Sequence, residues 1–202
     1  LSLCAQRRPL CGILSALSCA YRAKANRKKR RTYILFMVNL VYDDIVSCAK
    51  EILAYATKHS DYFSVIISQK KPYSARPPIC DHDDVLRPIY SQLVTQFVGI
   101  RKWSESGINN NHTVMNLYRC CKETRLFLCE CSKKCFDFGD FPEDICFYRG
   151  RTTWLSTTTH EGYASMYGAT QEDISFLRQA KIKYSNTENI QPYQLPSITK
   201  GN

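Results

Sequence analysis

Phe141-Pro-Glu-Asp-Ile-Cys-Phe-Tyr-Arg-Gly-Arg-Thr-Thr-Trp-Leu-Ser-Thr-Thr-Thr-His-Glu161 is the stretch around which the chain is organised. Pro142, Glu143 and Asp144 make a polar entry. Ile145 to Arg149 and Thr152 to Thr157 then read as two short strands, rich in aromatic and β-branched residues. Gly150-Arg151 between them has the Gly-X form of a two-residue type II′ turn, where glycine takes a positive φ without steric cost. This register predicts Phe147 opposite Trp154 and Tyr148 opposite Thr153. The stretch ends in Thr158-Thr159-His160-Glu161, whose T-x-x-E spacing is that of a capping box. It predicts a short helix through Tyr163, Ala164 and Tyr167, closed by Gly168. Thr170-x-x-Asp173 repeats the start signal for a last helix carrying Ile174, Phe176 and Leu177.

Working outward, Tyr33 to Leu40 is an apolar run of strand length. Asp43-Asp44 then opens a helical pattern at Ile45, Val46, Ala49, Ile52, Leu53 and Ala56. Tyr62 to Ser68 reads as a second strand, so the order β–α–β predicts a parallel pair with a right-handed crossover. Gln69 to Asp84, with three prolines, is loop. Leu86, Ile89, Tyr90, Leu93, Val94 and Phe97 predict a second amphipathic helix, starting near Arg87 because Pro88 fits only its first turn. His112 to Arg119 reads as a third strand, and Cys121 to Cys135 leans to helix. The expectation is a single compact α+β domain over residues 32–182, a mixed β-sheet with packed helices and a β-hairpin near 145–157. Residues 183–202 are expected to be a poorly ordered C-terminal tail.

Residues 1–31 hold nine of the 28 Lys/Arg and no acid, which leaves 19 basic against 18 acidic residues in the rest. Nearly all of the net charge of +10 therefore belongs to the leader, and a nucleic-acid footprint spread over the body is not indicated. The leader resembles a short signal sequence too brief to span a bilayer, and is read as disordered tail or artefact. Nucleic acid is a partner only through residues 22–31. Eleven cysteines are an odd number diluted over 202 residues, and read as reduced thiols in a cytoplasmic protein.

The candidate catalytic set is Arg149, Ser156, His160 and Glu161: a cation, a hydroxyl, an imidazole and a carboxylate within one hairpin. Capping is the structural alternative for the hydroxyls and Glu161. Cys129, Cys131 and Cys135 are a candidate thiolate metal set, although C-x-C-x3-C is not a standard knuckle and Cys129 lies off the helical face of the other two. No cofactor is read from the sequence.

Two resemblances bear on function. Tyr148-Arg149-Gly150 followed by Leu155-Ser156-Thr157-Thr158 resembles the Arg and Ser-Thr-Ser elements of ADP-ribosyltransferases. That resemblance implies that Arg149 grips a nicotinamide dinucleotide and Ser156 supports the site. The family spaces these elements further apart and follows them with E-x-E, for which Glu172-Asp173 would stand.

The second resemblance is wider. Ser60-Asp61-Tyr62-Phe63, Trp103, Tyr118, Pro142 to Tyr148, Trp154-Leu155 and His160-Glu161 resemble a family of small uncharacterised bacterial proteins, mainly Gram-positive. Some members are labelled stage III sporulation protein AH. It implies a fold and no catalytic residues. Together these observations favour a non-catalytic interaction or regulatory module with an unknown protein partner. The alternatives are an enzyme acting on a nucleotide-like substrate and nucleic-acid association through the leader.

Overall fold

A computed structural model describes residues 37–68, 83–98, 113–136, 142–187 and 191–197. The chain divides into two units, Leu1–Tyr33 and Ile34–Asn202. The leader and the loop 69–82 lie outside the described residues. Strands β1 (Met37–Leu40), β2 (Tyr62–Ser68), β3 (Leu93–Val98), β4 (Thr113–Arg119), β5 (Glu143–Arg149), β6 (Thr152–Thr158), β7 (Tyr163–Tyr167) and β8 (Tyr184–Thr187) form one sheet. Its order is β3-β4-β2-β5-β6-β7-β1-β8. Helices α1 (Tyr42–Ser47), α2 (Ala49–Lys58), α3 (Asp83–Leu86), α4 (Lys122–Glu130) and α5 (Gln171–Gln179) complete an α+β fold.

Every strand pair is antiparallel, so the sheet is not mixed. β1 and β2 point the same way, yet β7, β6 and β5 stand between them. The reason is local. β5, β6 and β7 follow one another through short turns, and such turns make antiparallel neighbours. Alternation along the strands then gives the sheet two faces. Phe63, Val65, Ile145, Phe147, Trp154 and Leu155 join Ile52, Leu53 and Ala56 of α2 and Leu177 of α5 in the main core. Ile66, Met115, Leu117, Cys146 and Tyr148 form a second cluster with Leu195.

The reversal at Gly150 is present. Arg149 pairs with Thr152, Gly150 has φ +61°, and positive φ does not fall on Arg151. Tyr148 pairs with Thr153 as the sequence predicts. Phe147 pairs with Leu155 rather than Trp154, because a bulge interrupts the register there. A bulge places an extra residue against its partner strand. Both aromatic side chains are buried in the main core, Phe147 at 1% and Trp154 at 2% exposure.

Three further expectations are corrected. The helix predicted over Tyr163 to Tyr167 is strand β7. Thr159–Glu161 makes only one 3-10 turn, Gly162 reverses the chain at φ +63°, and Thr158 pairs with Tyr163. The helix predicted from Arg87 to Phe97 is a 3-10 segment, Arg87–Gln92, followed by β3. Pro88 can donate no helical hydrogen bond. Leu-Val-Thr-Gln-Phe-Val then finds its ladder on β4. The segment expected as tail contributes β8, which pairs with β1, and Leu195, which is 1% exposed.

Candidate functional site

Arg149 lies at the hairpin end of β5, where alternation turns it towards α2 and α5. Its guanidinium is 3.8 Å over the Trp154 ring. Nη1 donates to Asp173 Oδ2 at 3.0 Å, Nη2 to Asp173 Oδ1 at 2.6 Å, and Nε to the His59 carbonyl at 3.1 Å. Asp173 belongs to the capping box of α5 and exchanges hydrogen bonds with Thr170. Tyr55 donates to it as well, at 2.9 Å. Burial pushes the Asp173 carboxyl up, but the Arg149 and Thr170 hydrogen bonds outweigh it and hold the carboxyl below the usual range. Burial and the same carboxylate push the Tyr55 phenol upward. Tyr55 in turn stacks on Phe176 with centroids 3.9 Å apart. Arg149 is thus a brace between the hairpin and two helices.

A cleft of about 150 Å³ opens beside it, lined by Arg149, Thr152, Thr153, Trp154, Tyr167, Gly168 and Pro192. Clefts for drug-sized ligands run from roughly 300 to 1,000 Å³, and this one is smaller. It contains none of Ser156, His160 and Glu161.

Ser156 is 4% exposed, between Cys146 and Ser165 of the neighbouring strands. By alternation it faces away from the layer that holds Arg149 and Leu155. His160 and Glu161 sit past the far end of β6, and seven residues of strand put roughly 20 Å between that end and the hairpin turn. The fold therefore does not bring the four candidates together.

What surrounds His160 instead is Asp144. This carboxylate is 5% exposed, and its Oδ1 lies 4.0 Å from His160 Nδ1. It accepts the Thr159 N–H at 2.9 Å. Burial pushes the Asp144 carboxyl up to about 6, opposed by the Thr159 N–H and by His160. Glu161 Oε1 is 3.7 Å from His160 Nε2, on the exposed side of the ring. Asp144 was legible in the sequence only as part of a polar entry; no spacing rule links it to a residue sixteen positions on.

The cysteines bond elsewhere. Cys129 Sγ donates to the Lys50 carbonyl at 3.8 Å and Cys135 Sγ to the Leu128 carbonyl at 3.9 Å. Burial pushes the thiols of Cys129, Cys131 and Cys135 up. Among the described residues no group of three His, Cys, Asp or Glu is placed to hold a metal ion. Among them, too, no helix is long and apolar enough to cross a membrane. No family model, curated protein or solved structure matches the chain.

Proposed function

We propose that this chain is a non-catalytic interaction or regulatory module working in the cytoplasm, of the kind represented by the small bacterial proteins its hairpin resembles. The observation that supports the reading is the separation of the candidate catalytic residues. Arg149 is committed to Asp173 and Trp154, Ser156 is buried on the other face, and His160 and Glu161 lie at the opposite end of the strand. Nucleophilic and acid–base catalysis need these groups within hydrogen-bond reach of one another. A surface for interaction is at hand in β3, which among the described residues is an edge strand with no charged and no buried residue. An extended segment of a partner protein adds to such an edge through backbone hydrogen bonds.

The test is incubation of the purified chain with a nicotinamide dinucleotide while released nicotinamide is measured. No release above buffer is expected. Turnover that His160→Ala or Glu161→Gln abolishes would overturn the reading, and both residues are exposed enough for those variants to fold.

A further inference from the structure

Three features that each oppose folding meet where the start of β5 touches the turn between β6 and β7. Asp144 holds a left-handed φ of 53° although it carries a Cβ. Its carboxyl is buried at the same time. The Thr159 Oγ1 is buried with no hydrogen-bond partner. Strained backbone and unsatisfied polar groups persist together where residues do more than hold the chain.

The geometry connects them. The Thr159 N–H is 2.9 Å from Asp144 Oδ1, so the unpartnered hydroxyl belongs to the residue that Asp144 already binds. His160 Nδ1 faces the same oxygen at 4.0 Å, and its other nitrogen faces Glu161. Among the described residues, the charged groups around Asp144 are Glu143 on its own strand and His160 and Glu161 on the turn. Both glutamates oppose its ionisation, whereas His160 and the Thr159 N–H favour it.

We propose that Asp144, Thr159 and His160 form a proton-operated switch that sets the position of the turn between β6 and β7. It goes beyond the interaction reading and requires no partner. With Asp144 ionised, its oxygen accepts the Thr159 N–H and faces the imidazole Nδ1. Uptake of one proton from solvent makes a carboxylic acid. The negative charge that faces the ring is lost. The new O–H supplies a donor, and Thr159 Oγ1 is the acceptor that lacks one. Gly162, at φ +63°, ends the turn with a residue that tolerates the accompanying rotation.

Isotope-labelled full-length chain followed by NMR from about pH 4 to about pH 8 spans both the ordinary and the raised carboxyl range. The Asp144 side-chain carbon is expected to titrate with a midpoint about 6. The Thr159 and Gly162 amides are expected to shift with that midpoint. Asp144→Asn suits the left-handed backbone and keeps an acceptor for Thr159, and it should remove the shared step from both amides. Thr159→Val should make Asp144 a stronger acid by roughly fivefold, the size of one net hydrogen bond. An Asp144 midpoint in the ordinary carboxylate range, amides that stay flat through its titration, or an unchanged step in Asp144→Asn would each overturn the proposal. An Asp144 titration unmoved by Thr159→Val would overturn it as well.

Discussion

Arg149 and Asp173 meet through two parallel hydrogen bonds, from Nη1 to Oδ2 at 3.0 Å and from Nη2 to Oδ1 at 2.6 Å. This is the fork geometry that a guanidinium makes with a carboxylate. Trp154 covers the face of the cation, and Tyr55 and Thr170 occupy remaining sites on the anion. One residue of the hairpin therefore ties β5 to α2 and α5. A position that resembles a dinucleotide grip is engaged in holding the fold together.

Removing the cation should expose that role. Arg149→Ala leaves the fully buried Asp173 carboxylate without its counter-charge, and breaking a buried pair costs about 3–5 kcal/mol. Part of the Arg149 side chain is solvent-accessible, which places the expected loss at the lower end. Arg149→Lys should recover only part of it, since an ammonium cannot fork across both oxygens. Urea unfolding at neutral pH reads both variants. A loss within the range of ordinary surface substitutions, about 0.5 kcal/mol, would show that the brace is not structural.

The two buried carboxylates should push stability in opposite directions with pH. Asp173 has its folded value depressed, so its contribution is present above the unfolded carboxylate range and is lost as pH falls through the folded value. Asp144 has its folded value raised from 3.8 to about 6. Its ionisation therefore opposes folding above about pH 6, and the fold recovers stability as pH falls from there towards 4. Two units correspond to roughly 3 kcal/mol at most. Asp144→Asn, which cannot ionise, should raise the urea midpoint at pH 8 and lose that advantage towards pH 4. A variant equally stable relative to the parent at both ends would contradict the raised value.

Much of this was legible in the sequence, and the failures have physical causes. Gly150 is where only a residue without Cβ turns the chain easily, and Thr170-x-x-Asp173 satisfies helix N–H groups through its own atoms. Both signals are local, and both are present in the fold. Thr158-x-x-Glu161 has the same form as the second and begins a single 3-10 turn instead, since the strand beside it offers Tyr163 to Tyr167 a full ladder. Leu93 to Val98 fits helical and strand periods alike, and the partner strand β4 decides. Asp144 and Asp173 acquire their roles from residues 15 and 24 positions away, a separation at which sequence spacing says nothing.

The turn itself gives a test free of side-chain packing. A Cβ added at Gly150 would meet nothing within 4 Å, so Gly150→Ala has only the backbone to overcome at φ +61°. That strain costs about 1–2 kcal/mol. Gly150→Asn should cost less, because asparagine visits positive φ more readily. Thermal unfolding of the two variants would rank them, and a harmless alanine would mean that the reversal tolerates other backbone conformations.

Residues 191–197 provide the last contrast, between a solvated tail and a structural strap. Thr153 donates its backbone N–H to the Tyr193 carbonyl at 3.0 Å, and the Leu195 N–H donates to the Arg151 carbonyl at 2.8 Å. The Arg151 guanidinium bonds to the Leu195 carbonyl in return. These bonds occupy the end of β6 beyond its ladder with β7, and they drop Leu195 onto Met115, Leu117 and Tyr148. Truncating a buried leucine to alanine costs about 2–5 kcal/mol, whereas a tail residue costs almost nothing. Leu195→Ala is therefore expected to lower the urea midpoint measurably. Leu195→Met, nearly equal in volume, should stay within about 1.5 kcal/mol of the parent. If alanine proves as stable as leucine, the strap does not seal the second face of the sheet.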